Sequence, residues 1–100
     1  MYLLNMKLPA KAGHADELAN ILLDASRLVA TAQGCKLYAV GKEQNDLNTV
    51  YVTEIWDSKE DHDNSLKVEG VRELIMKAMP IMDGQPQKLQ ELELLGGAGV

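Results

Sequence analysis

The chain reads as an α+β domain of the ferredoxin-like, split βαβ type, a four-stranded antiparallel sheet with helices on one face. Three observations predict it. Apolar residues switch between a period of two and a helical period in the order strand, helix, strand, strand, helix pair, strand. The polar run Glu43-Gln44-Asn45-Asp46-Leu47-Asn48 joins the second and third strands as a hairpin connection, longer than a two-residue turn, so that pair is antiparallel. One hundred residues, 46% of them hydrophobic, suit one compact core. The domain is expected over residues 1–95, with 96–100 a flexible glycine-rich tail.

The elements follow in order. Tyr2, Leu4, Met6 and Leu8 alternate on one face of a first strand that Pro9 closes. Leu18, Ile21, Leu22, Ala25 and Val29 recur at helical spacing, with Asp16 and Glu17 where the helix dipole favours negative charge, so a helix is expected from about His14 to Gln33, ended by Gly34. Cys35 to Gly41 reads as the second strand. Thr49 to Trp56 is the third, its β-branched and aromatic residues placing Val50, Val52, Glu54 and Trp56 on one face and Tyr51, Thr53 and Ile55 on the other. Ser58 with Asp61, or Asp57 with Glu60, then starts a short polar helix. Gly70 interrupts it, and Val71, Leu74, Ile75, Ala78, Met79 and Met82 form a second apolar stripe that Pro80 kinks or ends and Gly84 stops. Beyond Pro86, Leu89, Leu92, Leu94 and Leu95 suggest a last strand whose broken alternation reflects either a bulge or passage to another subunit.

Helices on one face leave the other face of the sheet bare. Apolar residues on both sides of the first and third strands predict that two copies close this open face as a homodimer with a core-like interface. The 15 acidic against 10 basic residues give a net charge of −5, the wrong sign for binding nucleic acid or an anionic membrane surface. A single cysteine allows no internal disulfide, and Met1 leads into a strand-like run without a signal segment, so a cytoplasmic location is expected. No apolar run approaches the roughly 20 residues that span a bilayer.

The strand-like run Thr49 to Trp56, followed by a helix start, carries the functional signal, because such strand ends build pockets in small α+β domains. Glu54 shares an apolar face with the only tryptophan, either as a solvated or paired group at a sheet margin or as part of a pocket. Gly34-Cys35-Lys36-Leu37-Tyr38, Val50-Tyr51-Val52-Thr53-Glu54-Ile55-Trp56-Asp57-Ser58 and Met79-Pro80-Ile81-Met82-Asp83-Gly84, in that order and spacing, resemble the antibiotic biosynthesis monooxygenase family over almost the whole chain. The resemblance implies a dimeric α+β barrel with a pocket between sheet and helices. In its quinol monooxygenase members a bound hydroquinone or polyphenol is the electron source for O2, so no flavin, metal or other cofactor is implied.

On the same resemblance Trp56 matches the family tryptophan at this strand end, His62 falls where some members carry a substrate-touching tyrosine, and Arg72 resembles an arginine of the following helix. The chain departs from the family where Ser65 and Gly70 stand in place of a histidine pair, and where Val52 replaces the asparagine of one oxygenase subgroup. The implied site is thus His62 as base, Arg72 as stabiliser of an anion, and Trp56, Glu54 and Ser65 around a small aromatic substrate. Each has a plainer reading: a solvated helix histidine among Glu60, Asp61 and Asp63, a surface ion pair of Arg72 with Glu69 or Glu73, and core packing for Trp56.

Other chemistries find less support. Cys35 sits in an apolar strand as a structural thiol, two histidines 48 residues apart with one cysteine form no zinc pattern, and Met76, Met79 and Met82 follow helical packing. Residues 68–84 offer no axial histidine for haem. The alternatives that stay open are a non-catalytic small-ligand-binding or stress-response dimer, and an isomerase using the same pocket.

Overall fold

The structure is a computed structural model that describes residues Met1–Val100. Strands β1 (Tyr2–Pro9), β2 (Cys35–Lys42), β3 (Thr49–Trp56) and β4 (Gln87–Glu93) form one antiparallel sheet in the order β2-β3-β1-β4. Helices α1 (Ala15–Val29), α2 (Lys59–Ser65) and α3 (Val71–Ala78) lie between them in sequence, and a 3₁₀ turn, Met79–Ile81, continues α3. This is the ferredoxin-like arrangement. No helix is long and apolar enough to cross a membrane.

The third strand runs over the residues its alternation predicts, and Val50, Val52, Glu54 and Trp56 are all buried on the helix side. The first helix stops short of the expected Gln33. After Val29 the backbone tightens, with Thr31 and Ala32 N–H groups bonding the carbonyls three residues back, and the Thr31 hydroxyl captures the Leu28 carbonyl as well. A side chain competing for helix carbonyls ends the helix before the glycine does. Gly34 instead makes the turn into β2 at φ 81°, where its missing Cβ leaves room for Asp61 of α2. Ser58 caps α2 by accepting from the Asp61 N–H, the first of the two expected pairings. The irregularity of the last strand is a bulge: Asn5 faces Gln90 and Met6 faces Lys88, so Leu89 has no partner in β1.

Two faces of the sheet differ sharply. On the helix side the buried residues form two clusters, one around Leu8, Leu18 and Val50, the other around Tyr2, Leu4, Val29 and Trp56. The open face is less apolar than expected. A single row, Leu37, Ile55, Leu3 and Leu92, crosses all four strands, and the next row is polar, with Asn5 Nδ2 donating to Thr53 Oγ1 at 2.8 Å.

Candidate active site

Members of both core clusters border a hollow of about 470 Å³ between the sheet and the helices. Ile21 and Leu22 of α1 belong to the predicted apolar stripe yet are only half-buried, because they face this hollow rather than a packed neighbour. Fourteen of its twenty bordering residues are hydrophobic. Its polar groups therefore stand out.

Glu54 is the centre of these. Pairing sets Glu54 between Tyr38 of β2 and Leu4 of β1, with its side chain under α2. The Trp56 indole N–H donates to Glu54 Oε1 at 3.1 Å, and His62 Nε2 approaches the same oxygen at 3.8 Å. Burial lifts Glu54 above the usual carboxylate range, while a charged His62 and the indole bond act against that lift. The cause that wins is desolvation, since Glu54 is only 6% exposed.

His62 owes its position to α2, which begins after a two-residue link from β3 and brings the imidazole back over Glu54. Its Nδ1 lies 3.0 Å from Asp63 Oδ1. The same hydrogen bond, followed by that from Lys59, holds Asp63 below the ordinary aspartate range. An ionised carboxylate can only accept, so Nδ1 donates to Asp63 and Nε2 is the nitrogen turned toward Glu54 and the hollow. Tyr2 and Trp56 flank the imidazole with ring centroids at 5.7 and 6.0 Å, which fixes its plane. An oxygen about 3 Å from both Nε2 and Glu54 Oε1 is compatible with their 3.8 Å separation.

The structure brings together three of the sequence-predicted residues on the wall: Glu54, His62 and Ser65. Ser65 is buried and donates to the His62 carbonyl at 2.5 Å, so it ties down the turn that bears the histidine. Trp56 is fully buried behind the wall and acts on the hollow through its bond to Glu54. Arg72 requires a correction. It is exposed and does not border the hollow, because it lies about 100° around α3 from Val71, which does.

Sequence reasoning missed two participants. Asp63 orients the imidazole, and its signal was only its adjacency to His62. Tyr38 borders the hollow beside Glu54, and burial raises its phenol above the ordinary tyrosine range. No buried side-chain polar atom lacks a partner, and the Tyr38 hydroxyl bonds to no protein group, so this hydroxyl is not sealed away from solvent. Alternation from Cys35 and the hairpin register together place Tyr38 opposite Glu54, a pairing that needs the bulge at Lys36 to be known. No cluster of three or more His, Cys, Asp or Glu side chains is positioned to hold a metal ion.

A sheet of this order under helical cover, with a carboxylate and a histidine meeting at the wall of an apolar hollow, defines a ferredoxin-like α+β domain with an internal pocket. The chain belongs to the antibiotic biosynthesis monooxygenase family, whose model matches residues 1–76. A crystal structure from Chloroflexus aurantiacus J-10-fl, named as a candidate antibiotic biosynthesis monooxygenase, is 30% identical, with 96% of this chain and 94% of that one aligned at a TM-score of 0.83. A similarly named protein from Caulobacter crescentus CB15 shares the fold at a TM-score of 0.84 and 19% identity over 95% of this chain and 90% of that one. A Nitrosomonas europaea protein of unknown function shares it at 0.79 and 22% identity, over 96% and 90%. No curated protein matches the chain.

Proposed function

We propose that this protein is a cofactor-independent monooxygenase that oxidises a quinol-like or polyphenolic aromatic with O2. The observation that carries the reading is the contact of His62 with Glu54 at the wall of a hollow large enough for an aromatic guest. Membership of a family named for monooxygenases supports oxygen chemistry.

In this reading His62 Nε2 takes the proton of a phenolic hydroxyl. The imidazolium so formed lies beside Glu54, whose carboxylate it stabilises and is stabilised by, while Asp63 holds the other nitrogen. The phenolate, now electron-rich, transfers electrons to O2. One quinol and one O2 give one hydroxyquinone and one water, so the substrate supplies every electron. Tyr38 and Glu54 offer further hydrogen-bonding partners to the ring oxygens.

The test is oxygen uptake by metal-free, flavin-free protein with a panel of hydroquinones. Uptake above autoxidation is expected, and His62→Ala should lower it by between about 10²- and 10⁴-fold. Equal rates from His62→Ala would remove the base mechanism. Turnover that proceeds without oxygen would identify an isomerase, since the Glu54–His62 pair can also shuttle a proton. Ligand-dependent thermal stabilisation without any turnover would identify a binding protein.

The same proposal includes a homodimer joined through the open sheet face, with the Leu37-Ile55-Leu3-Leu92 row at its centre. Leu37 and Leu92 are 37% and 44% exposed, apolar surface that a second copy would cover. Sedimentation velocity should show a dimer at micromolar concentration that Leu37→Asp with Leu92→Asp splits; a monomeric parent chain would remove this part.

A further inference from the structure

We propose that the guest of this hollow carries a tail: an aromatic head held at Glu54, His62 and Tyr38, and an unbranched aliphatic chain running along the rest of the cavity. The phenolic head rests on the reading above, and the tail is an addition to it.

The shape of the hollow comes from three elements that border it along their length. Across the sheet it extends from Glu54 of β3, which lies level with Leu4, to Leu8 of β1 four positions away, roughly 13 Å at the rise of a strand. On α1 it extends from Val29 back to Ile21, about 12 Å at the rise of a helix. Val71 to Met79, along α3 and into the 3₁₀ turn, covers about the same span. Three independent lengths agree on a slot.

Polarity divides that slot. Glu54, Tyr38, His62 and Ser65 gather at one end, joined by the Tyr38–Glu54 register, the His62–Glu54 contact and the Ser65 bond to His62. From there Ala25, Leu22 and Ile21 on one side, with Leu74 and Ala78 on the other, offer only hydrocarbon. Hydrogen-bonding side chains return only at Gln85, exposed on the far rim with Gly84 and Pro86.

Size favours a guest larger than one ring. A cavity of about 150 Å³ suffices for benzene, whereas this one is about 470 Å³, so a one-ring quinol would leave most of the volume unfilled. The wall chemistry then favours a chain over further fused rings. Beyond Tyr38 and the imidazole no aromatic side chain borders the slot, and the sequence contains no phenylalanine. Aliphatic and thioether walls offer a flexible hydrocarbon close contact, without the flat faces on which extended ring systems stack.

The experiment is anaerobic titration of the protein with a series of 4-alkylphenols of increasing chain length, below their micellar concentrations, read by calorimetry or by the emission of the single Trp56. Affinity should tighten about fourfold per added methylene, the equivalent of about 0.8 kcal/mol, and then level off once the slot is filled. Ala25→Leu, midway along the slot, should move the plateau to shorter chains, and Leu22→Phe, near the far end, should move it less. A flat series overturns the tail, as does tightening without a plateau that both variants leave unchanged, because that is surface adsorption. The parent-chain series decides even where a variant fails to fold. Oxygen uptake separates the two readings: a chain-length dependence without turnover removes the oxygenase and keeps the tail, whereas turnover of plain hydroquinone with a flat series does the reverse.

Discussion

Glu54 and Glu91 occupy the same row of the sheet, one on each side of Leu4, yet their surroundings push them in opposite directions. Glu54 lies on a strand buried along most of its length under α1 and α2, and desolvation raises it. Glu91 lies on β4, every residue of which is exposed, where the Tyr2 hydroxyl and then the Lys88 ammonium hold it low. Residue type and row are alike, so the difference comes from what surrounds each: helical cover and an interior strand for Glu54, an open edge strand for Glu91. Cover raises a buried carboxylate, and a histidine that meets it there opposes the rise but gives it a partner for proton transfer.

The sharpest way to break this comparison is to neutralise each glutamate in turn. Glu54→Gln keeps the shape but removes the charge that stabilises an imidazolium, and should lower quinol oxidation on the order of 10²-fold. Glu91→Gln should leave it within about twofold, since Glu91 does not border the hollow. Equal losses would mean that the row as a whole, rather than its covered half, sets the chemistry.

Next in size is the attachment of the cover itself. A Cβ on Gly34 would lie 2.1 Å from Asp61 Oδ2 and 2.8 Å from Asp61 Cβ, so α2 must move to admit it. Gly13 shares the same φ of 81° but has nothing within 4 Å. Alanine at Gly13 thus isolates the backbone cost, about 1 kcal/mol, and alanine at Gly34 should cost roughly 1–2 kcal/mol more. Urea unfolding of both variants checks this. Similar losses would show that α2 yields easily and is a poor clamp on Glu54.

How much of this could be read beforehand follows from how local each cause is. Thr49–Trp56 was legible to the residue and the cap of α2 to one of two adjacent pairs, because alternation and capping act over a few positions. The end of α1 was not, because the Thr31 hydroxyl competes for a carbonyl that periodicity ignores. Arg72 lies off the wall, as the stripe of α3 requires, because it is on another face than Val71 and Leu74. The hollow was expected, but its slot shape was hidden. Ile21, Leu22 and Ala25 share one apolar stripe with Leu18, and a stripe reports which way side chains face, never whether anything fills the space in front of them.

The two glutamates should also differ in the sign of their contribution to stability as pH changes. Glu54 is raised in the folded protein, so its ionisation favours unfolding. Its contribution is intact below the unfolded value and is lost as pH rises through the folded one. Glu91 is lowered, so its contribution is intact above the unfolded value and is lost as pH falls through the folded one. Unfolding midpoints measured from about pH 3 to pH 8 should therefore show Glu54→Gln gaining on the parent chain as pH rises past the ordinary glutamate range, by of order 1 kcal/mol. Glu91→Gln should fall behind over a lower window, by less, and both variants should converge with the parent in acid. Parallel curves would show that cover does not distinguish the two positions.

The smallest expected effect tests whether the cover can open by itself. Ser58 supplies the only side-chain cap of α2, accepting from the Asp61 N–H at 3.1 Å, and a seven-residue helix has few internal bonds to spare. Ser58→Ala should cost about 1 kcal/mol, but confined to α2 rather than spread over the domain. Amide exchange distinguishes these. The Asp61 amide, which loses its acceptor, and the His62 amide, bonded to the Ser58 carbonyl in the first turn, should then exchange about fivefold faster, while those of β1 and β3 keep their rates. A uniform increase across sheet and helix would mean that α2 and β3 open as one unit. In that case Glu54 is never uncovered without global unfolding, and a guest has to enter beside α3, past the exposed side chains of Ile75 and Met79.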